Sequence, residues 1–256
     1  MVIVIMGVIG SMVAVFMKSP IDAYLASARR AGLTDVADTT VRRIARDIHK
    51  ALPNSIRTSA DKQCIEFIPT KTGGRYRTTE KVVGDGSSLD FGLADTTFNM
   101  LGSNSALPLD QRIAIGDVIV VYNLGIAGAS AYASDNTATV SSIGTETAAP
   151  VETPISIAAK QFPLASGSNR FHVVPAAEKV VAYVCSGGQL RRTVTSASFS
   201  SACPATGAIV AINASCTFDY SGSDLQRNAL VRMVLQLTDS GETVTLQHEV
   251  HVNNTP

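Results

Sequence analysis

No charged residue occurs in positions 1–17, and that run, MVIVIMGVIGSMVAVFM, limits what the chain can become. A helix built from it is apolar on every side, so it cannot lie with one face against a water-soluble core. At ~1.5 Å per residue it reaches ~26 Å, a little less than the ~30 Å hydrocarbon core of a bilayer. It needs either a few more apolar residues in front of it or neighbours of the same kind around it. No small-residue cleavage site follows. Lys18 and Pro20 lead directly into an amphipathic pattern that continues to Leu52. The apolar shaft therefore reads as an anchor or assembly element, not as a discarded export signal.

Apolar positions recur three or four apart at Ile21, Tyr24, Leu25, Ala28, Leu33, Ala37, Val41, Ile44, Ile48 and Leu52, which predicts an amphipathic helix over residues 21–52. Asp38 precedes Arg42 by four residues and Arg43 precedes Asp47 by four, so the outer face is expected to pair its charges. Pro53 stops the helix, because a residue before proline avoids helical geometry. Pro20, inside the long rod, removes a backbone donor and is expected to bend it. Gly7, Gly10 and Gly32 are further soft points.

Beyond residue 60 the period falls to two. The strings beginning at Cys64 (CIEFI), Arg75 (RYRTT), Asp117 (DVIVVY), Arg170 (RFHVV) and Val180 (VVAYVC) read as strands, with Gly187 and Gly188 turning into a further one from Gln189. The clearest hairpin is terminal: Val231, Met233, Leu235 and Leu237 share one face, residues 239–241 turn, and Val244, Leu246, Val250 and Val252 return. Residues 125–154 are mostly small and polar and read as a long exposed loop. The predicted class is α+β. Residues 1–19 form the membrane-spanning half of a helix and 20–52 its amphipathic half; both belong with an antiparallel β head over 60–256.

Twenty-one basic and twenty-one acidic residues cancel, so nothing favours nucleic acid or an anionic surface as partner. Cys64, Cys185, Cys203 and Cys216 contain no C-x-x-C pair, which argues against a zinc ligand set. An even count beside a membrane segment points to two disulfides in an oxidising compartment, with buried free thiols as the alternative. Of the three pairings, the short loop containing Pro204 and Gly207 favours Cys203–Cys216, leaving Cys64 with Cys185.

Other chemistry-bearing strings fail on spacing. Val118 to Gly128 resembles a strand feeding a glycine loop, with Glu146 downstream, yet it lacks the first glycine of a dinucleotide fingerprint and no helix is expected after it. His248 and His251, three apart on a strand, point to opposite faces and cannot share one metal ion. Arg42, Arg46, Lys50 and His49 interleave with Asp35, Asp38 and Asp47, the pattern of a solvated or inter-subunit face. No G-x-S-x-G occurs, and neither His49 nor His172 has a nucleophile nearby in sequence. No catalysis, metal or cofactor is expected.

The plan resembles the type IV pilin and pseudopilin superfamily. MVIVIMGVIG, at the start, is similar to the apolar stretch just after the prepilin processing site. The strings HEVHVNNTP from His248, CIEFIPTKTGGRYR from Cys64 and YVCSGG from Tyr183 are similar to minor pilin-like proteins of mannose-sensitive haemagglutinin (MSHA) pilus biogenesis clusters, over nearly the whole chain. The family's basic leader, cleavage-site glycine, phenylalanine and glutamate would lie upstream of Met1. The resemblance thus implies that Met1 is an internal methionine of a chain several residues longer. It also implies a single-pass protein of the bacterial inner membrane with its head in the periplasm, which joins or primes a pilus. Its partners would be the bilayer, the assembly platform, and the major pilin and other minor pilins through their helices. Val2, Ile3, Val4, Ile5, Met6, Gly7 and Gly10 would pack there, with Pro20 setting the bend. A pseudopilin of type II secretion is the nearest rival, and a glycan-binding tip adhesin using residues 125–154 is another.

Overall fold

Helix α1 (Val2–Ile48) carries 47 residues without interruption, roughly 70 Å of rod. The computed structural model describes residues 2–199, 203–221 and 228–256; Met1, the first residue of the apolar run, lies outside them. α1 continues through Pro20, whose missing N–H leaves the Phe16 carbonyl without its usual helical donor. Only the last third of α1 is seated on the head. Ala37, Val41, Ile44, Ala45 and Ile48 are buried, with Leu33 packed at their edge. Ile21, Tyr24 and Leu25, expected on the core-facing side, are instead exposed. The helix also ends at Ile48 rather than Leu52. After Ile48 the chain instead pairs with residues 68–70 across one antiparallel bridge, Ala51 to Pro69: Leu52 N–H donates to the Ile68 carbonyl at 2.7 Å, and Thr70 N–H to the Lys50 carbonyl at 2.7 Å.

The head begins with β1 (Arg57–Thr58) and β2 (Cys64–Phe67). The chain then leaves to build β3 (Thr72–Arg75), β4 (Asp95–Leu101), β5 (Val118–Val121), β6 (Thr137–Ile143), β7 (Glu152–Lys160) and β8 (Arg170–Val174). It returns as β9 (Val180–Ser186), β10 (Gln189–Thr195), β11 (Ala208–Ile212), β12 (Ala214–Ser221), β13 (Asn228–Asp239) and β14 (Glu242–Asn253). Among the described residues every strand pairing is antiparallel.

Three sheets result, in the orders β1-β2-β9-β10-β11, β12-β13-β14 and β3-β8-β5-β6-β7-β4. The six-stranded sheet curls until its edges meet: Tyr76 bridges Met100, and Arg77 N–H donates to the Asn99 carbonyl at 3.0 Å. Phe98, Ile119, Val140, Ile155, Phe162 and Phe171 fill this barrel. Because β2 and β9 are neighbours in one sheet, the barrel is an insertion between them. A second core lies where α1 meets the five-stranded and three-stranded sheets, with Phe67, Tyr183, Phe218, Met233 and Leu235 at its centre. Leu52, Ile68, Val120, Val174 and Phe199 join the two lobes.

Several sequence expectations need correction. Residues 125–154 are not one exposed loop, since β6 runs through them and β7 starts within them. Ala131 and Asn136 are fully buried, and Ala138 and Val140 face the barrel interior. Small side chains lower the apolar content of such a segment while letting strands approach closely, so a composition that looks unfit for a core suits a tight one. The RYRTT strand is displaced: β3 ends at Arg75 and uses Gly73 and Gly74, two residues that strand propensity disfavours. The turns were legible. Gly187 and Gly188 have φ of 59° and 74°, and Ser240 and Gly241 of 48° and 84°, the left-handed pair a two-residue hairpin turn demands.

The disulfides also differ from expectation: Cys64 bonds Cys203 and Cys185 bonds Cys216. Cys64 stands opposite Val184 in the β2–β9 register, so Cys185, one residue on, projects from the other face of the sheet. Cys64 and Cys185 therefore cannot meet. Cys185 and Cys216 instead fasten the five-stranded sheet to the three-stranded one within the helix-facing core. Closing that loop, with its sequence separation of 31, limits the unfolded chain by roughly 4 kcal/mol on entropic grounds. Replacing both Cys185 and Cys216 by serine is expected to lower stability by about 2–4 kcal/mol, read as a fall in the urea midpoint.

Candidate functional site: an exposed apolar shaft

The feature that needs a partner is the free part of α1. Val2, Ile3, Val4, Ile5 and Met6 are 57–88% exposed, and Phe16 is 82% exposed. Their side chains contribute nothing to either core. Removing from water the eleven large apolar side chains described as exposed on this shaft would release on the order of 20 kcal/mol, at ~1.5–3 kcal/mol each. A bare shaft in water is therefore far from its preferred surroundings. By length and composition α1 is the one helix among the described residues that is able to cross a membrane. Ser11, within the apolar run, suits that medium: its Oγ donates to the Val8 carbonyl at 2.8 Å.

Gly7 and Gly10 have no internal cause. A Cβ placed on either would meet nothing within 4 Å. Glycine in mid-helix costs about 1 kcal/mol against alanine. An approaching neighbour that needs the space is one physical use for such positions.

The other end of α1 is fixed by polar contacts that sequence periodicity did not find. Asp47 Oδ2 accepts from Tyr183 Oη at 2.8 Å and from Arg192 Nε at 2.9 Å, and Arg192 also pairs with Glu178 at 3.1 Å. Burial and the facing Asp47 carboxylate hold the Tyr183 phenol above its ordinary pKa, so it stays a donor. The expected Arg43–Asp47 pair is thus replaced by a longer-range one, whereas Asp38–Arg42 forms as expected at 2.7 Å. Arg30 reaches Glu242 of the terminal hairpin at 2.7 Å and is the outermost tie between rod and head. Nothing in sequence spacing marks Arg192 or Glu242 as helix partners, because 145 and 212 residues separate them from Asp47 and Arg30.

The remaining sequence candidates are occupied structurally. Gly125 abuts the Asn54 carbonyl, and Glu146 accepts from Ser105 N–H at 2.7 Å and Ser103 Oγ at 2.8 Å. On β14, His248 is half-buried and His251 exposed, on alternate faces. No group of three His, Cys, Asp or Glu side chains among the described residues is placed to hold a metal ion. The chain matches no protein-family model, no curated protein and no solved structure.

Proposed function

We propose that this chain is a minor pilin-like (pseudopilin) subunit that assembles or primes a type IV pilus of the MSHA kind, in the role of the cluster's O protein. The observation that carries the reading is the free length of α1: an apolar shaft standing clear of a β head that holds only its last third. In lipid the shaft is solvated by acyl chains. In a filament the same surface is covered by sister shafts, so leaving the bilayer becomes tolerable only when neighbours replace lipid. Val2, Ile3, Val4, Ile5, Met6, Gly7 and Gly10 make those contacts, and Pro20 marks the change from shaft to amphipathic rod. The protein sits in the bacterial inner membrane with its head in the periplasm, where both disulfides form and brace the head. Its partners are the assembly platform, the major pilin and other minor pilins. Its work is mechanical and uses no cofactor.

The glycan-binding alternative relied on one free loop at residues 125–154; residues 137–143 and 152–154 of that stretch instead belong to barrel strands. The test is deletion of the gene followed by counting surface pili. Loss of pili, restored by the intact chain and not by one with a polar shaft, is expected. Normal pilus numbers would overturn the priming role, and a secretion defect with normal pili would assign the chain to type II secretion.

A further inference from the structure

The barrel carries a basic face on its β3–β8 edge. β3 pairs β8 with Arg75 directly opposite Arg170 and Gly73 directly opposite His172. The intervening residues point inward: Tyr76 and Phe171 belong to the barrel core, and a Cβ on Gly74 would strike the Phe171 ring and Met100 Sδ. Arg75, Arg170 and His172 therefore share the outer face, around a cleft of about 430 Å³ that also takes in Thr72 and Gly73. Both arginines are exposed, and the histidine is half-buried.

Like charges placed directly opposite destabilise a strand pair. The other described head arginines all have partners. Arg77 and Arg232 pair with glutamates, Arg192 with Asp47 and Glu178, and Arg112 and Arg191 bond carbonyl oxygens. Arg57 lies 3.5 Å above the Tyr132 ring. Among the described head arginines only Arg75 and Arg170 have neither a hydrogen bond nor an ion pair nor a ring contact, and they are the two that face each other.

We propose that this face binds an oxyanion, a phosphate, sulfate or carboxylate group of a ligand, held by the Arg75 and Arg170 guanidinium groups with His172 beside them. A guanidinium offers parallel N–H donors that match such a group, and one anion between two of them removes their repulsion. Gly73, directly opposite His172 on the same face, leaves the space beside the ring free of a side chain. Burial, reinforced by Arg170, lowers the His172 pKa to about 4, so at neutral pH the ring is uncharged and presents one N–H donor.

The test uses the full chain in nonionic detergent micelles. Thermal unfolding is followed in sodium phosphate and in sodium chloride of equal ionic strength, with sulfate, acetate and phosphatidylglycerol-doped micelles as parallel arms. Phosphate at a hundred times its Kd should raise the folded-to-unfolded ratio about a hundredfold, and so raise the midpoint. Arg75→Gln and Arg170→Gln should each fold at least as well as the parent and lose that response. The His172 ring resonances should move with phosphate in the parent and stay fixed in Arg170→Gln. A response to acetate alone assigns a carboxylate, one to phosphate or sulfate a tetrahedral anion, and one confined to the doped micelles a lipid headgroup; each upholds the site. Equal midpoints in all arms, or responses that survive both substitutions, overturn it. If a variant fails to fold, the parent's His172 signal decides, since a signal that ignores every anion also overturns the proposal.

Discussion

Replacing Ile5 and Ile9 together by aspartate should move the protein out of the membrane fraction. The two residues lie four apart on one side of α1 and are more than half exposed, so no contact within the chain is lost. In a bilayer each aspartate near mid-helix costs about 2.5–3.5 kcal/mol, so the pair is expected to cost about 6 kcal/mol, enough to shift partitioning by more than a thousandfold. The measurement is carbonate extraction of membranes, followed by recovery of the double variant in the supernatant. Because the shaft is absent from both cores, the head of the variant should unfold at the same urea concentration as the parent. An integrated double variant would show that the shaft is not the membrane element, and the proposed function would fall with it.

The second large effect is expected in the barrel. Glu152 is 1% exposed and gathers Arg77, Lys81 at 2.9 Å and Asn99 Nδ2 at 2.8 Å. Removing one member of a buried ion pair usually costs 3–5 kcal/mol, because the partners keep their charge without compensation. Arg77 and Lys81 retain some access to water, at 23% and 32% exposure, which places Glu152→Ala near 3 kcal/mol. Denaturant unfolding should show that loss. Acid gives an independent reading. The Arg77 hydrogen bond chiefly, aided by Asn99 and Lys81 against the opposing effect of burial, lowers the Glu152 pKa from its ordinary 4.5 to about 2. A carboxyl depressed on folding stabilises the native state fully above its unfolded pKa and loses that contribution as pH falls through the native one. The barrel should therefore weaken between about pH 4.5 and 2, and Glu152→Gln should flatten that part of the profile. An unchanged acid transition in Glu152→Gln would show that the cluster does not govern it.

The parts of the fold legible in sequence were those governed by local periodicity. The helix, the β13–β14 hairpin and the two left-handed turns each follow from patterns a few residues long. The barrel was obscured because its strands use residues that carry a weak signal. β3 has paired glycines, which strand propensity disfavours, with Gly74 lying against the Phe171 ring and Met100, and β6 carries alanine, threonine and serine with few large apolar residues. The cysteine pairing failed for a different reason. Proximity in sequence favoured Cys203–Cys216, whereas which face of a sheet each sulfur occupies depends on a register set by strands far apart in the chain. The shaft as candidate site was visible at once, since an absence of charge needs no tertiary context. Its attachment at Asp47 was not, because the partners Tyr183 and Arg192 lie 136 and 145 residues further along the chain.

The placement of the barrel between neighbouring strands has a mechanical consequence. A pull on the rod enters the head through the seat of α1 and spreads into the two sheets that Cys185–Cys216 staples together. The excursion from β2 to β9 leaves and rejoins that unit at adjoining positions, so it hangs beside the line of tension. The barrel can therefore stay folded under loads that strain the stem.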